Sequence, residues 1–456
     1  MPVSSIYAPL ALLMFALPHA AFAADTVDCA SDSLQTAIDA APAGTVLNLT
    51  GLCEGHFTID KDLTLQGQPA VLSGTGNGAV LTLTNGSTAP RVTLRDLELR
   101  NGGQGATDPA ALMNAGGLLL LNSASEPLLA QLERVTIADN TLPGNDGDAF
   151  GACGIGTAGP VQLTVLDSII SDNGIRNASL DRTVVGGILI GPQGRLTLVG
   201  SELSGNFNLT DGGGSGGLDC AGHCTMLGGS IHDNDTGSDA GSTGAGFTVQ
   251  RDAFLLMDGV RVQDNRSDWD TAVAGGGVIL GHAVLKNTDI RNNRIVPTGD
   301  TDGSGGLLVQ GGILEMIDGS LRGNLAPGSV HRGAAGLTVR SGAQASLLRT
   351  TIRDNQALAG PDGSNAGAVL VSDDSRFYGD ALVIRANEGQ AGAMRIGAGS
   401  RAVLNHSRVQ SNVGLVTGGI LLDGSASPVG EVLLFDTRVF GNSPDNCNGF
   451  SDPACD

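Results

Sequence analysis

Gly186-Gly187-Ile188-Leu189-Ile190, then Arg195-Leu196-Thr197-Leu198, then Ser201-Glu202-Leu203-Ser204-Gly205-Asn206 is the stretch whose reading decides the fold. Its short runs alternate apolar and polar residues with a period of two, which marks strands with one face turned inward. Turn chemistry separates the runs, and nothing between them resembles a crossover helix. Short parallel strands without helices fit when the chain winds as a solenoid, each coil bonding to the next.

The same pattern recurs on both sides. An Asn stands at Asn101, Asn140, Asn173, Asn206, Asn234, Asn265, Asn293, Asn324, Asn355, Asn387, Asn412 and Asn442, a span of 341 residues in eleven steps of 31 on average. From Asn140 onward an aliphatic residue lies three positions earlier, from Ile137, Ile170 and Leu203 through to Val439; Glu98 before Asn101 breaks this rule. Halfway round each coil a pair of small residues opens an aliphatic strand, as in Gly116-Gly117-Leu118, Gly216-Gly217-Leu218, Gly276-Gly277-Val278 and Ala335-Gly336-Leu337. Aliphatics at a fixed phase stack into a core. Asn side chains can form hydrogen-bonded ladders, and Asn tolerates the left-handed conformation that a corner needs.

The expected fold is therefore all-β, a single-stranded right-handed parallel β-helix with an N-terminal capping helix. For that helix Leu34, Ala37, Ile38 and Ala41 supply the apolar face, Ser31 or Ser33 the cap and Pro42 the stop. The apolar run Ala8 to Leu17, followed by Ala21-Phe22-Ala23, predicts a cleaved secretory signal over residues 1–23. Residues 24–100 then hold the cap and first coils, 101–442 the repeats, and 443–456 a disulfide-containing tail.

Composition agrees with a thin, repetitive core: Gly contributes 70 of 456 residues and aromatics only 3%. The net charge of -21 argues against nucleic acid, which needs a basic face, and against polyanions held by charge alone. Seven cysteines in an exported chain predict three local bridges, Cys29 with Cys53, Cys220 with Cys224 and Cys447 with Cys455, leaving Cys153 over.

The small-small-aliphatic element followed by aliphatic-x-x-Asn resembles the repeats of polymorphic outer-membrane proteins and related bacterial right-handed β-helix, pectin-lyase-like proteins. The resemblance covers residues 100 to 442. It implies the fold; it does not imply an activity. Ile, Val or Leu stands where the polymorphic proteins carry Phe.

Catalytic residues on such a fold would share a phase on neighbouring coils. The outward column after the small pair reads Leu119, Leu189, Asp219, Thr248, Ile279, Leu308, Thr338, Leu370, Arg395 and Leu421, mostly apolar, and is expected to be packed beneath loops. Asp219 and Arg395 stand too many coils apart to cooperate, so no catalytic residue is assigned. A polar column six before the Asn, with Asp167, Asn287, Asp318, His406 and Asp436, reads as turn chemistry. Cys220 and Cys224 around His223 read as a disulfide loop rather than half a zinc site. Asp146 and Asp148, with Asp300 and Asp302, loosely resemble calcium ligand sets but match no full calcium motif. Trp269 and Tyr378 are the only Trp and Tyr after the signal, and that scarcity of stacking platforms counts against a carbohydrate groove.

The functional expectation is a secreted or surface-associated module, extracellular or periplasmic, monomeric, adhesin-like and non-enzymatic. It would meet matrix, cell surface or polysaccharide through loops on one side of the rod. The alternatives are a polysaccharide lyase or glycoside hydrolase and a calcium-stabilised rod. No nucleic-acid partner and no cofactor beyond that calcium are expected.

Overall fold

A computed structural model describes residues 25–76, 78–86, 88–103, 113–142, 151–176, 183–210, 212–237, 243–268, 273–296, 301–327, 330–357, 365–424 and 429–455. Among them the chain is a parallel β-solenoid with very little helix. One coil shows the plan. Strand Ile188–Ile190 leads through a short turn to Arg195–Val199, a corner, Glu202–Ser204, a second corner and Phe207–Leu209. Each segment then pairs in parallel with its counterpart one coil on: Ile188 with Leu218, Arg195 with His223, Glu202 with Ser230 and Phe207 with Asp235.

The period-two pattern sets what lies inside. Ile188, Ile190, Leu196, Leu198 and Leu203 are at most 2% exposed. Stacked over the coils, such residues form one long core that runs from Val27 to Val439. Its width is kept constant by pairing large with small. The ring of Phe377 is flanked in register by Ala345 and Ala402. Phe247 pairs with Gly277, where an added Cβ would stand 2.4 Å from the ring.

That last pairing corrects the phase read from sequence. The coil contains Gly275-Gly276-Gly277, and Gly277 takes the inward strand position that Phe247 and Leu307 take in adjacent coils. The outward residue there is Val278, not Ile279.

The corners also differ from expectation. The ladder asparagines from Asn140 on are not the left-handed residues. Positive φ falls on the residue before each, such as Asp139 (55°), Asp172 (55°), Gly205 (63°), Asn292 (54°) and Asp354 (55°). These residues face solvent, and Asp, Asn and Gly bear that conformation at least cost. The following Asn is then free to turn inward. Asn101 is the exception that explains the broken first repeat. It has φ 60° and pairs its coil so that Leu99 stands beside Ile137, which places Gly102 in the asparagine column. Gly102 N–H donates to Asn140 Oδ1 at 2.9 Å.

At the N-terminal end the helix Leu34–Ala40 starts at Ser33, whose hydroxyl accepts from Thr36 N–H. Ala41 is extended, as the residue before a proline prefers. Leu34 and Ile38 join the long core, and Gln35 exchanges hydrogen bonds with the backbone of Thr58 in both directions. At the C-terminal end Cys447–Asn448 pairs with Ile420 and Leu421, which continues the sheet into the tail.

Candidate functional site

The asparagine column is a continuous buried ladder. Nδ2 of each member donates to Oδ1 of the next, from Asn140 to Asn173 (2.9 Å) through Asn206, Asn234, Asn265, Asn293, Asn324, Asn355 and Asn387 to Asn412 and Asn442 (2.9 Å). The same oxygen also accepts the backbone N–H of the preceding Asn, as Asn293 Oδ1 does from Asn265 at 3.1 Å. Every hydrogen-bonding direction is used inside the fold, so these residues hold structure and offer nothing to a ligand.

The cysteines are bonded as Cys29–Cys53, Cys220–Cys224 and Cys447–Cys455. Cys220 and Cys224 turn into the core and His223 turns out, so the three do not converge on a metal. Cys153 lies outside the three bridges and is buried. Asp146, Asp148 and Asp300 fall outside the described residues, as does Trp269. Asp302 lies in the strand Thr301–Ser304, and its side chain is outside the description. Among the described residues no three His, Cys, Asp or Glu side chains come together as a metal site.

The outward column after the small pair is covered. Leu189, Thr248, Val278, Leu308 and Thr338 are at most 1% exposed. They pack beneath a thin outer layer that includes Val185, Ala152 and Ala274. Asp219 is caught in this layer. Burial pushes its carboxyl up to about 7, although Gln250 Nε2 donates to both of its oxygens at 2.9 Å. Arg395 instead holds Asp423 in a two-pronged ion pair with a closest approach of 2.8 Å. The polar column six before each Asn is a corner throughout: Asp167 (48°), Asn287 (48°), Asp318 (55°), His406 (47°) and Asp436 (45°) all have positive φ.

The solvent-facing side of the long sheet carries residues that the repeat pattern does not single out. Strands Ile313–Ile317, Gln344–Leu348, Arg376–Asp380 and Arg401–Asn405 lie side by side. Their outward residues form two columns, Ile313, Gln344, Arg376 and Arg401 beside Glu315, Ser346, Tyr378 and Val403. Between them runs a groove of about 510 Å³. Tyr378 is 44% exposed there and Ile313 43%. Along the same columns Phe254 stands edge-on to His282, 5.3 Å between ring centres, and His282 Nε2 lies 3.2 Å from Glu315 Oε1. An apolar floor with a few convergent polar groups is the usual make-up of a ligand site. A larger cleft of about 810 Å³, around Asn85, Asn122 and Gln193, carries neither an aromatic nor a charged side chain.

A low aromatic count does not say where a ring stands, and Tyr378 stands exposed on the surface of the sheet. Reading the odd positions of the Arg376–Asp380 run as outward would have found it.

Neither a family model nor a curated protein matches the chain. It is similar to the crystal structure of an alginate lyase from Paenibacillus sp. str. FPU-7, with 11% identity and a TM-score of 0.28 over 78% of this chain and 93% of that one. A second likeness is to PfbA, a surface adhesin of Streptococcus pneumoniae, with 12% identity and a TM-score of 0.34 over 88% and 87%. A third is to tailspike protein 3 of bacteriophage CBA120, with 11% identity and a TM-score of 0.31 over 92% and 58%. At these values the likenesses bear on neither substrate nor partner.

Proposed function

We propose that this chain is a secreted or surface-associated β-solenoid that binds polysaccharide without cleaving it, and that the groove over Tyr378 is its sugar-holding site. The observation that carries this reading is the exposed Tyr378 ring on the floor of the groove, with Gln344, Ser346, Arg376 and Glu315 around it. A flat ring offers a face to the C–H side of a pyranose, and the amide, hydroxyl, guanidinium and carboxylate groups match sugar hydroxyls. Placement on strands keeps these groups at fixed spacing. Three disulfides suit an oxidising compartment, and the signal at residues 1–23 would deliver the chain there. The right-handed winding belongs to the same proposal, since parallel crossovers overwhelmingly take that hand. Calcium binding would fall to Asp146, Asp148, Asp300 and Asp302.

The test is a panel of neutral and acidic oligosaccharides titrated against the purified chain and its Tyr378→Ala variant, with new reducing ends measured in parallel. Binding that falls at least tenfold in the variant, at unchanged melting temperature, supports the reading. Equal binding by both sinks the site, and new reducing ends replace the binding reading with an enzymatic one.

A further inference from the structure

A second outward surface lies past the corner of the long sheet. From Asn173 on, the side chain two residues before each ladder Asn faces solvent. On four consecutive coils that residue is arginine, Arg291, Arg322, Arg353 and Arg385, each the direct parallel neighbour of the next. The residues just before them, Ile290, Leu321, Ile352 and Ile384, are fully buried, which fixes the arginines on the outside. In the adjacent outward column the following coils add Arg408 and Arg438.

The carboxylates on this strip do not balance it. Asp289 takes Arg322 at 2.6 Å and Arg291 at 3.5 Å, so two guanidiniums share one acid. Arg353 pairs with Asp354. Among the described residues Arg385, Arg408 and Arg438 form no ion pair. A chain of net charge -21 thus carries six arginines against two paired acids along one strip.

Like charges in direct register repel, and stacking them in a solenoid invites a counter-charge with the same repeat. Neighbouring coils are ~4.8 Å apart, a spacing of the order of one sugar ring. Guanidinium groups bind carboxylate and sulfate through two parallel hydrogen bonds. We infer that the arginine strip is a docking track for a linear acidic polysaccharide lying along the solenoid axis, one acidic group per coil. A single glycan chain fits a strip one strand wide. A nucleic-acid duplex is broader and would meet the acidic remainder of the surface. The track stands apart from the Tyr378 groove, which lies before the corner at Asp318, Arg349 and Ala381, and it does not depend on that reading.

The experiment titrates the full chain with polyuronate, a sulfated glycan, neutral dextran and a DNA oligonucleotide of equal charge, at several salt concentrations. The expected result is salt-sensitive binding of one or both acidic glycans, with dextran showing no salt-sensitive binding. The double variant Arg353→Gln/Arg385→Gln should bind at least tenfold more weakly, with a shallower salt dependence and an unchanged melting temperature. Stronger binding by the uronate or by the sulfated glycan identifies the acidic group. Equal affinity for the acidic glycans in the double variant, an equal loss of dextran binding in that variant, or tighter binding of the oligonucleotide would overturn the inference.

Discussion

Asn442 Nδ2 donates to Asn446 Oδ1 at 3.1 Å across only four residues, whereas earlier rungs of the ladder span 25 to 33. The tail therefore supplies the last acceptor of the asparagine column itself. Asn446 in turn donates to the carbonyl of Cys455 at 3.2 Å, and the Cys447–Cys455 bridge closes this small loop. The final rung and the final disulfide act as one unit.

Opening that unit should fray the last coils. Cys447→Ser/Cys455→Ser is expected to cost about 2–3 kcal/mol by the loop-entropy estimate. Hydrogen exchange should rise first at Ile420–Leu422. Exchange rising evenly over the whole chain would show that the bridge does not act locally.

The ladder itself predicts a sharp contrast between two asparagines. Asn293→Ala strands the side-chain and backbone donors of Asn265 and the carbonyl of Val262 in the core. With ~1–3 kcal/mol for each unsatisfied buried group, the loss should be at least about 3 kcal/mol. Asn101→Gly removes no rung and relieves a left-handed residue, so urea denaturation should place it within ~1 kcal/mol of the parent.

Large-small pairing in the core can be tested at Gly277. Gly277→Val drives a side chain into the Phe247 ring and should cost about 1–3 kcal/mol. Adding Phe247→Ala should recover part of that loss, because the two sites share one space. Strictly additive losses would mean that the ring does not fill the glycine's place.

Asp219 sets a pH dependence with a definite sign. Its folded carboxyl is raised from 3.8 to about 7, first by burial and against the Gln250 hydrogen bond. The folded chain thus holds a proton that the unfolded chain releases near pH 4. This contribution is complete below about pH 4 and is lost as pH climbs to 7, with a total of order 4 kcal/mol. Asp219→Asn should flatten that slope and raise stability at pH 8 by roughly 2–3 kcal/mol. Thermal melts at pH 5 and pH 8 would show it, and an equal slope in both proteins would refute it.

Much of the solenoid is legible in the chain alone because its physics is local and repeated. The alternation Leu196-Thr197-Leu198 states which side is in, and the recurring Asn states the coil length. Hydrophobic period and turn chemistry need only neighbouring residues to act. Phase was harder to read. A run of three glycines hid that Gly277, not Val278, faces Phe247, and Asn101 keeps the spacing of a rung while standing at a corner. Only contact between coils distinguishes these cases. Strand alternation marks Tyr378 and the arginines as outward, but which residues stand beside them needed the tertiary structure. Arg291, Arg322, Arg353 and Arg385 are some thirty residues apart in a chain of net charge -21, and Tyr378 is one ring in an aromatic-poor sequence. Winding stacks the four arginines on one strip and, across the corner, sets Tyr378 beside its groove neighbours, and a surface acts through what stands side by side in space.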